Sequence, residues 1–324
     1  MEIKNKKILI TGGAGFIGFH LAKKLSKNNR VILWDNLSRG RLDSDLKELL
    51  KNKNIIFNKI DLKNKINVKI SKIDYLFHLA GSVGVRNIET ASYESFLNNV
   101  NSLKSLINFC FKQNNKLKFI LFSTSEVYSN LIKQRKVKFP ISENNNIIIE
   151  DKIIERDSYF LSKIFNEKLI QLSKIRYLIL RPHNIYGPRM GFSHVIPELI
   201  SKFNLEKKGK KKYTGIYSPS HTRAFCFIDD AIKQIVSLAA NRNVNNEVFN
   251  IGNMKEEIKI FNLAKKIKKI IHKKSKLKKL FVTKGSPSRR VPCMRKTLKK
   301  ISKMKFTNLD DGIKKTFYWY KKFI

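Results

Sequence analysis

The chain has 324 residues, with 67 Lys and Arg against 25 Asp and Glu and a formal net charge of +42. That length allows one large or two modest domains with a substantial core, and with no long apolar run neither a signal peptide nor a membrane span is expected. The three cysteines, Cys110, Cys226 and Cys293, show no metal-ligand spacing and no disulfide framework, so a reducing cytoplasm and no metal centre are expected.

Lys6 to Thr11 is an apolar run of strand length, as a central parallel strand requires. Gly12 and Gly13 break it, and Phe16, Ile17, Leu21 and Leu25 then recur at helical spacing. The glycines therefore lie on a strand-to-helix turn, where free backbone N–H groups and the positive end of a helix dipole suit a pyrophosphate. From Gly13 the spacing reads GxGxxG, and from Gly12 it reads GxxGxxG. The next strand, Arg30 to Trp34, ends at Asp35. A carboxylate there accepts from an adenosine ribose 2′-OH and repels a 2′-phosphate, which favours NAD over NADP, while Arg39 and Arg41 close behind pull the other way.

Asn54 to Ile60 reads as a strand ending at Asp61 and Leu62, and Asp74 to Leu79 as another leading into Ala80 and Gly81. A long helix comes next, with Phe96, Leu97, Val100, Leu103, Leu106, Ile107 and Phe109 at helical spacing. Leu117 to Phe122 is the next strand and runs into Ser123, Thr124, Ser125 and Glu126. This alternation predicts an α/β chain with a Rossmann-type, doubly wound parallel sheet and ligands beyond the carboxyl ends of its strands. Hydroxyls at Thr124 and Ser125 suit a bridge to a substrate hydroxyl, and Glu126 suits a second acid or base. The alternative is a polar turn in which Ser125 or Glu126 caps the next element.

Tyr159 and Lys163 are four apart in a segment whose Ile164, Phe165, Leu169 and Ile170 have helical periodicity, so both project from one face. A tyrosine titrates near about 10, and a neighbouring ammonium and a positive nicotinamide ring both favour its phenolate. The lysine can also hold ribose hydroxyls. The position of the pair after the fifth strand and the Ser/Thr loop marks it as a proton-transfer device.

Tyr177 to Leu180 closes a cofactor-binding unit over 1–180. Beyond Arg181 the prolines Pro182, Pro188 and Pro197 end the regular alternation, and a smaller C-terminal substrate-binding domain is expected over 181–324, with about 222–252 contributing again to the first unit. Glu206 to Tyr213 reads as an exposed loop. Lys265 to Lys279 is the densest basic stretch and keeps Ile267, Ile270 and Ile271 among its lysines, as a surface helix would. A charge of this size attracts polyanions, yet the lysines are spread over the whole chain among many Asn and Ile, the pattern of a compositional drift. Neither a specific nucleic-acid partner nor a membrane is expected.

At these residues the chain resembles the extended short-chain dehydrogenase/reductase family, the NAD-dependent sugar-nucleotide epimerases and dehydratases. The resemblance rests on Thr11 with Gly12, Gly13, Ala14, Gly15, Phe16, Ile17 and Gly18; Asp35, Asn36, Leu37 and Ser38; Asp61 and Leu62; and His78, Leu79, Ala80 and Gly81. It continues through Ser123 to Tyr128, Tyr159 with Lys163, Arg181 to Pro188, Arg223 to Phe225, Ile228 to Asp230, and Asn250 to Gly252, so it covers nearly the whole chain.

The resemblance carries specific implications. The cofactor would be NAD, held by the glycine motif, Asp35, Asn36, Ser38, Asp61, Leu62, Leu79, Ala80, Gly81, Ser123, Tyr159, Lys163, Pro182 and His183, with Asn99 supporting the active-site helix. Tyr159 would be the base, with Lys163, Thr124, Ser125 and Glu126 beside it. The substrate would be a UDP-, dTDP- or GDP-sugar, met by Gly84, Asn184, His194, Val195, Arg223 and Arg290, a guanidinium being well matched to phosphate oxygens. The chemistry would begin with transient oxidation at sugar C4, and the homodimer would form through the helices of Asn99 and Tyr159.

Glu126 resembles the acid of UDP-glucuronate decarboxylases and GDP-mannose 4,6-dehydratases, whereas typical 4-epimerases lack one there. Decarboxylation or dehydration is therefore favoured, with 4-epimerisation as the alternative and a non-catalytic NAD-binding regulator as a remote one. The segment Gly191 to Ile200 departs from the decarboxylase pattern, and Cys293 replaces an acid of that pattern. Arg295 is a candidate for a substrate carboxylate, against the plainer reading of a solvated arginine.

Overall fold

Six of the apolar runs form parallel strands: β1 (Lys7–Thr11), β2 (Arg30–Asp35), β3 (Ile55–Lys59), β4 (Tyr75–His78), β5 (Lys118–Phe122) and β6 (Tyr177–Pro182). The structure is a computed structural model describing residues 1–64, 66–68, 70–82, 90–113, 117–205, 213–271, 274, 276–283 and 285–323. A seventh strand, Glu247–Ile251, joins beyond β6, and the order across the sheet is Glu247–Ile251, β6, β5, β4, β1, β2, β3. Every pairing in this sheet is parallel. The expected Rossmann-type sheet is therefore present, with strand limits shifted by a residue or two.

The continuous apolar character of the inner strands results from burial on both faces, whereas β3 at the edge buries only Ile55. In β1, Ile8 and Ile10 enter one core and Leu9 the other, the period of two that a strand imposes. All three are fully buried, and each such side chain contributes about 1.5–3 kcal/mol relative to exposure. The strand order reverses between β1 and β4. The carboxyl ends of β1 and β4 carry the glycine turn and the Ala80–Gly81 segment side by side, the position at which open α/β sheets bind their ligands.

The later part of the chain forms smaller sheets. Thr222–Ala224 lies between Glu257–Lys259 and Arg289–Arg290, and the parallel register of the latter pair sets Arg290 opposite Arg223. The basic stretch Lys265 to Lys279 is not one surface helix. The helix Ile260–Ile270 buries Ile260, Leu263, Ala264 and Ile267, and Leu277–Lys279 is instead a strand paired with Thr214–Ile216. The physical reason is that the helical spacing of apolar residues ends at Ile271, after which no further apolar stripe holds a helix against the core. Of the expected loop Glu206 to Tyr213, only Tyr213 lies within the described residues, and it is exposed. All three cysteines are free and buried. Among the described residues no helix is long and apolar enough to cross a membrane.

Candidate active site

The glycine turn is shaped by close approach. Gly12 has φ +71°, its N–H donates to the Trp34 carbonyl at 2.8 Å, and a Cβ on it would lie 2.8 Å from the Ala80 nitrogen. A Cβ on Gly18 would run into the Gly12 carbonyl oxygen, so only glycine lets the helix Phe16–Leu25 settle onto the turn. The first turn of this helix holds no acidic residue, and its positive end is left without a competing carboxylate. The Asp35 carboxylate accepts from Ala14 N–H at 3.0 Å and from Leu37 N–H at 2.8 Å. Burial raises its pKa against those two bonds. Asn36 donates to Asp61 at 3.3 Å and accepts from Ser38 N–H at 3.0 Å, and Leu62 is buried alongside.

On the β4 side, Leu79 N–H donates to the Thr11 carbonyl and Ala80 N–H lies 3.4 Å from the Thr11 hydroxyl. A Cβ on Gly81 would stand 2.9 Å from Asn99 Oδ1 and 3.5 Å from Lys163 Nζ. These bare backbone surfaces, which a side chain would fill, fit the pyrophosphate and ribose of a dinucleotide. Gly84 lies outside the described residues.

The helix Asp157–Leu172 carries Tyr159 and Lys163 on one face, with Lys163 Nζ 5.9 Å from the Tyr159 ring centroid. The ammonium is turned to the Phe122 carbonyl at 3.0 Å, and burial pushes it down to about 8. The expectation of a lowered phenol at Tyr159 includes the charge of a bound nicotinamide; in the protein alone the phenol is raised. Burial and the nearby Glu126 carboxylate raise it, while a hydrogen bond with Thr124 and the charges of Arg39 and Arg290 oppose them. The physical reason is desolvation of the phenolate, which these neighbours only partly offset.

Thr124 also caps the short 3₁₀ turn Ser125–Tyr128 by accepting from Glu126 N–H at 3.2 Å. The cap is therefore Thr124 rather than Ser125 or Glu126, and Ser125 is buried within the turn. Glu126 accepts from Arg290 Nη2 at 3.4 Å, and Arg290 Nε is buried with no partner among the described residues. Asn99 donates to the Ser162 hydroxyl at 2.9 Å, and that hydroxyl donates to the Tyr159 carbonyl at 2.7 Å. Asn99 thus braces the helix that presents Tyr159.

Behind these residues runs a buried polar chain. Arg181 makes a forked pair with Glu167, at 2.9 and 2.6 Å, and donates to the Tyr128 hydroxyl at 2.7 Å. Ser123 donates to the same Glu167, and Tyr128 donates to Asn250 at 3.2 Å. Pro182 ends β6. His183 comes next with Nε2 3.1 Å from Asn250 Oδ1 and Nδ1 unpartnered, and burial pushes its pKa down to about 3, so the ring is neutral. Glu167 does not stand out among the motifs of the sequence, although its spacing of four from Lys163 repeats that of Lys163 from Tyr159.

Asn184, at φ +41°, donates to the Ala224 carbonyl at 3.0 Å. Arg223 donates to the Thr222 carbonyl at 2.8 Å and the Ser286 hydroxyl at 2.9 Å, and burial followed by the charge of Arg290 pushes it down to about 9. His194 and Arg39 flank Gly191, and Val195 opens the helix Val195–Leu205. Arg295 starts the helix Arg295–Lys300 and is exposed. Arg290, expected at the substrate diphosphate, is the arginine that meets Glu126.

The profile of the NAD dependent epimerase/dehydratase family matches residues 8–252. The UDP-N-acetyl-alpha-D-glucosaminuronate decarboxylase of Bacillus cytotoxicus is 31% identical, over 98% of each chain. Among solved structures, the UDP-N-acetylglucosamine 4-epimerase of Methanobrevibacter ruminantium, in complex with UDP-N-acetylmuramic acid, matches 99% of this chain and 100% of its own with TM-score 0.84 and 25% identity. A mutant UDP-glucuronic acid 4-epimerase of Bacillus cereus, in complex with UDP-4-deoxy-4-fluoro-glucuronic acid and NAD, matches 98% of this chain and 100% of its own with TM-score 0.83 and 28% identity.

Proposed function

The chain belongs to the NAD-dependent epimerase/dehydratase family, and from that premise we propose that it decarboxylates a UDP-hexuronate through transient oxidation at C4. The observation that carries this reading is Arg290, a mostly buried guanidinium paired with Glu126 at 3.4 Å that keeps an Nε unpartnered among the described residues. A cation with a spare donor beside the acid of the site suits a sugar carboxylate better than a neutral hydroxymethyl group. The similarity to the Bacillus cytotoxicus decarboxylase supports it.

The glycine turn, Asp35 and Lys163 would hold NAD. Bound there, NAD+ would supply a reversible hydride acceptor for sugar C4. Tyr159, as the phenolate that the positive charges of Lys163 and of bound NAD+ would favour, takes the C4 hydroxyl proton, with Thr124 fixing its phenol. Lys163 supplies positive charge from a buried position. Arg290 and Glu126 bracket C6 and C5. Once C4 is a carbonyl, the C5–C6 bond breaks, carbon dioxide leaves, and the bonding pair passes into the C5–C4 enolate, which is then protonated at C5. Arg223 and Asn184 hold the diphosphate end, and His194 and Val195 border the sugar. Asn99 positions the Tyr159 helix without touching substrate.

A second reading is 4-epimerisation, favoured by the two epimerase structures; product mass separates the two. A homodimer through the helices Ser92–Cys110 and Asp157–Leu172 is part of the same proposal. It is supported by exposed Tyr93, Phe165 and Leu172 and by the Phe96–Phe165 edge contact across the two helices. Phe165→Asp should give a monomer by light scattering, and an unchanged dimer would reject that face. The free, buried cysteines support a reducing, cytoplasmic setting.

A further inference from the structure

We propose that Arg189 is a diphosphate ligand of the cofactor and the strap through which the later half of the chain senses the glycine turn. Arg189 comes after Gly187 and Pro188 in a left-handed conformation, φ +65°, which turns its side chain from the later half of the chain back onto the cofactor-facing half. There it makes a set of contacts that no local motif requires. Its Nε and Nη2 donate to Asp43 Oδ2 at 3.0 and 2.8 Å, and Nη2 also reaches the carbonyls of Arg41 at 3.3 Å and Ala14 at 3.5 Å. The guanidinium lies 4.1 Å from the centroid of the Phe19 ring on the helix that begins at the glycine turn.

One donor of this group is unused. The side chain is only 5% exposed, yet Nη1 is buried with no partner among the described residues. A buried, unpaired guanidinium donor costs free energy unless something satisfies it, and Asp43 is the only carboxylate the group meets among the described residues. That carboxylate is itself shared, because its other oxygen accepts from Leu46 N–H at 2.9 Å and caps the helix Ser44–Leu50. The neighbouring ground is an anion site in waiting: the turn at Ala14, and a helix start with no acid in its first turn. A cofactor diphosphate supplies the acceptor that the protein withholds.

Ala14 makes the contact consequential. Its carbonyl meets Arg189 and its N–H meets Asp35, so the loop after β2 is pinned at its start by Asp35 and at its end by Arg189 and Asp43. On the other side, Tyr320 donates to the Met190 carbonyl and Trp319 donates to Asp45 at 2.5 Å. Arg189 therefore joins the glycine turn, the loop after β2 and the segment carrying His194. The inference rests on NAD dependence and stands whichever sugar is the substrate.

The test is a comparison of affinities for NAD+, ADP-ribose and adenosine, by calorimetry for the first two and ligand-observed NMR for the third, in the cofactor-free full chain and in Arg189→Met. Loss of a charge-assisted contact to the diphosphate should weaken NAD+ and ADP-ribose by about tenfold or more and adenosine by less than about twofold. Equal weakening of all three would assign Arg189 a purely structural role and overturn the proposal, as would no change in any. If Arg189→Met does not fold, Arg189→Lys keeps the charge and loses the fork. It should show the same diphosphate-selective loss at smaller size, and a uniform or absent loss would again overturn the proposal.

Discussion

Arg290 reaches Glu126 at 3.4 Å although 164 positions separate them in the chain. The contact arises because the parallel pairing of Arg289–Arg290 with Thr222–Ala224 places Arg290 beside Arg223. It brings a positive charge to the acid beside Tyr159, and in the proposed reaction that charge meets the sugar carboxylate. Arg290→Gln should weaken UDP-glucuronate binding by at least about tenfold while leaving UDP-glucose within about threefold, measured by calorimetry on the NAD-loaded protein. Equal losses for both ligands would return Arg290 to a diphosphate role.

Tyr159→Phe removes one hydroxyl from a packed site. Turnover should fall by about 10²–10⁴-fold, the usual share of a general base, while NAD+ affinity and melting temperature stay close to those of the parent. Full retention of turnover would exclude Tyr159 as the base.

Lys163 gives a pH signature. Its ammonium titrates near about 8 in the folded, cofactor-free protein because burial disfavours the charge, against about 10.4 in an unfolded chain. Between those values the unfolded state binds more protons, so this group makes stability rise with pH across that window and holds it lowest below the folded value. Denaturation from pH 7 to 10.5 should show the parent gaining on Lys163→Met. A constant difference between them would mean that Lys163 is not desolvated.

Glu167 and Arg181 form an ion pair with side chains only 2% and 5% exposed. Glu167→Leu strands a buried guanidinium and should cost about 3–5 kcal/mol of unfolding free energy, read from chemical denaturation. A loss below about 1 kcal/mol, the size of an exposed pair, would show that water reaches the network.

Much of this architecture is legible along the chain. The inner strands announce themselves because burial on both faces makes them continuous apolar runs, and the glycine turn does so because Gly12 and Gly18 sit where a Cβ would collide with backbone. Tyr159 and Lys163 are legible because one helix fixes their relation. The Arg290–Glu126 pair and the Arg189 strap are not, since each depends on how distant segments meet in three dimensions. The lowered phenol expected of Tyr159 belongs to the cofactor-bound site: in the protein alone burial and Glu126 raise it, and spacing does not show that the Lys163 ammonium is turned to the Phe122 carbonyl. The basic run from Lys265 misled for a related reason, because lysine density carries no information about where an apolar stripe stops.

Loss of the sugar carboxylate at a site built from Tyr159, Glu126 and Arg290 has a direct readout in the mass of the product formed from UDP-glucuronate by the NAD-loaded protein. Mass spectrometry should find a nucleotide sugar lighter by one carbon dioxide, with its formation abolished in Tyr159→Phe. A product of unchanged mass with only C4 inverted would contradict decarboxylation.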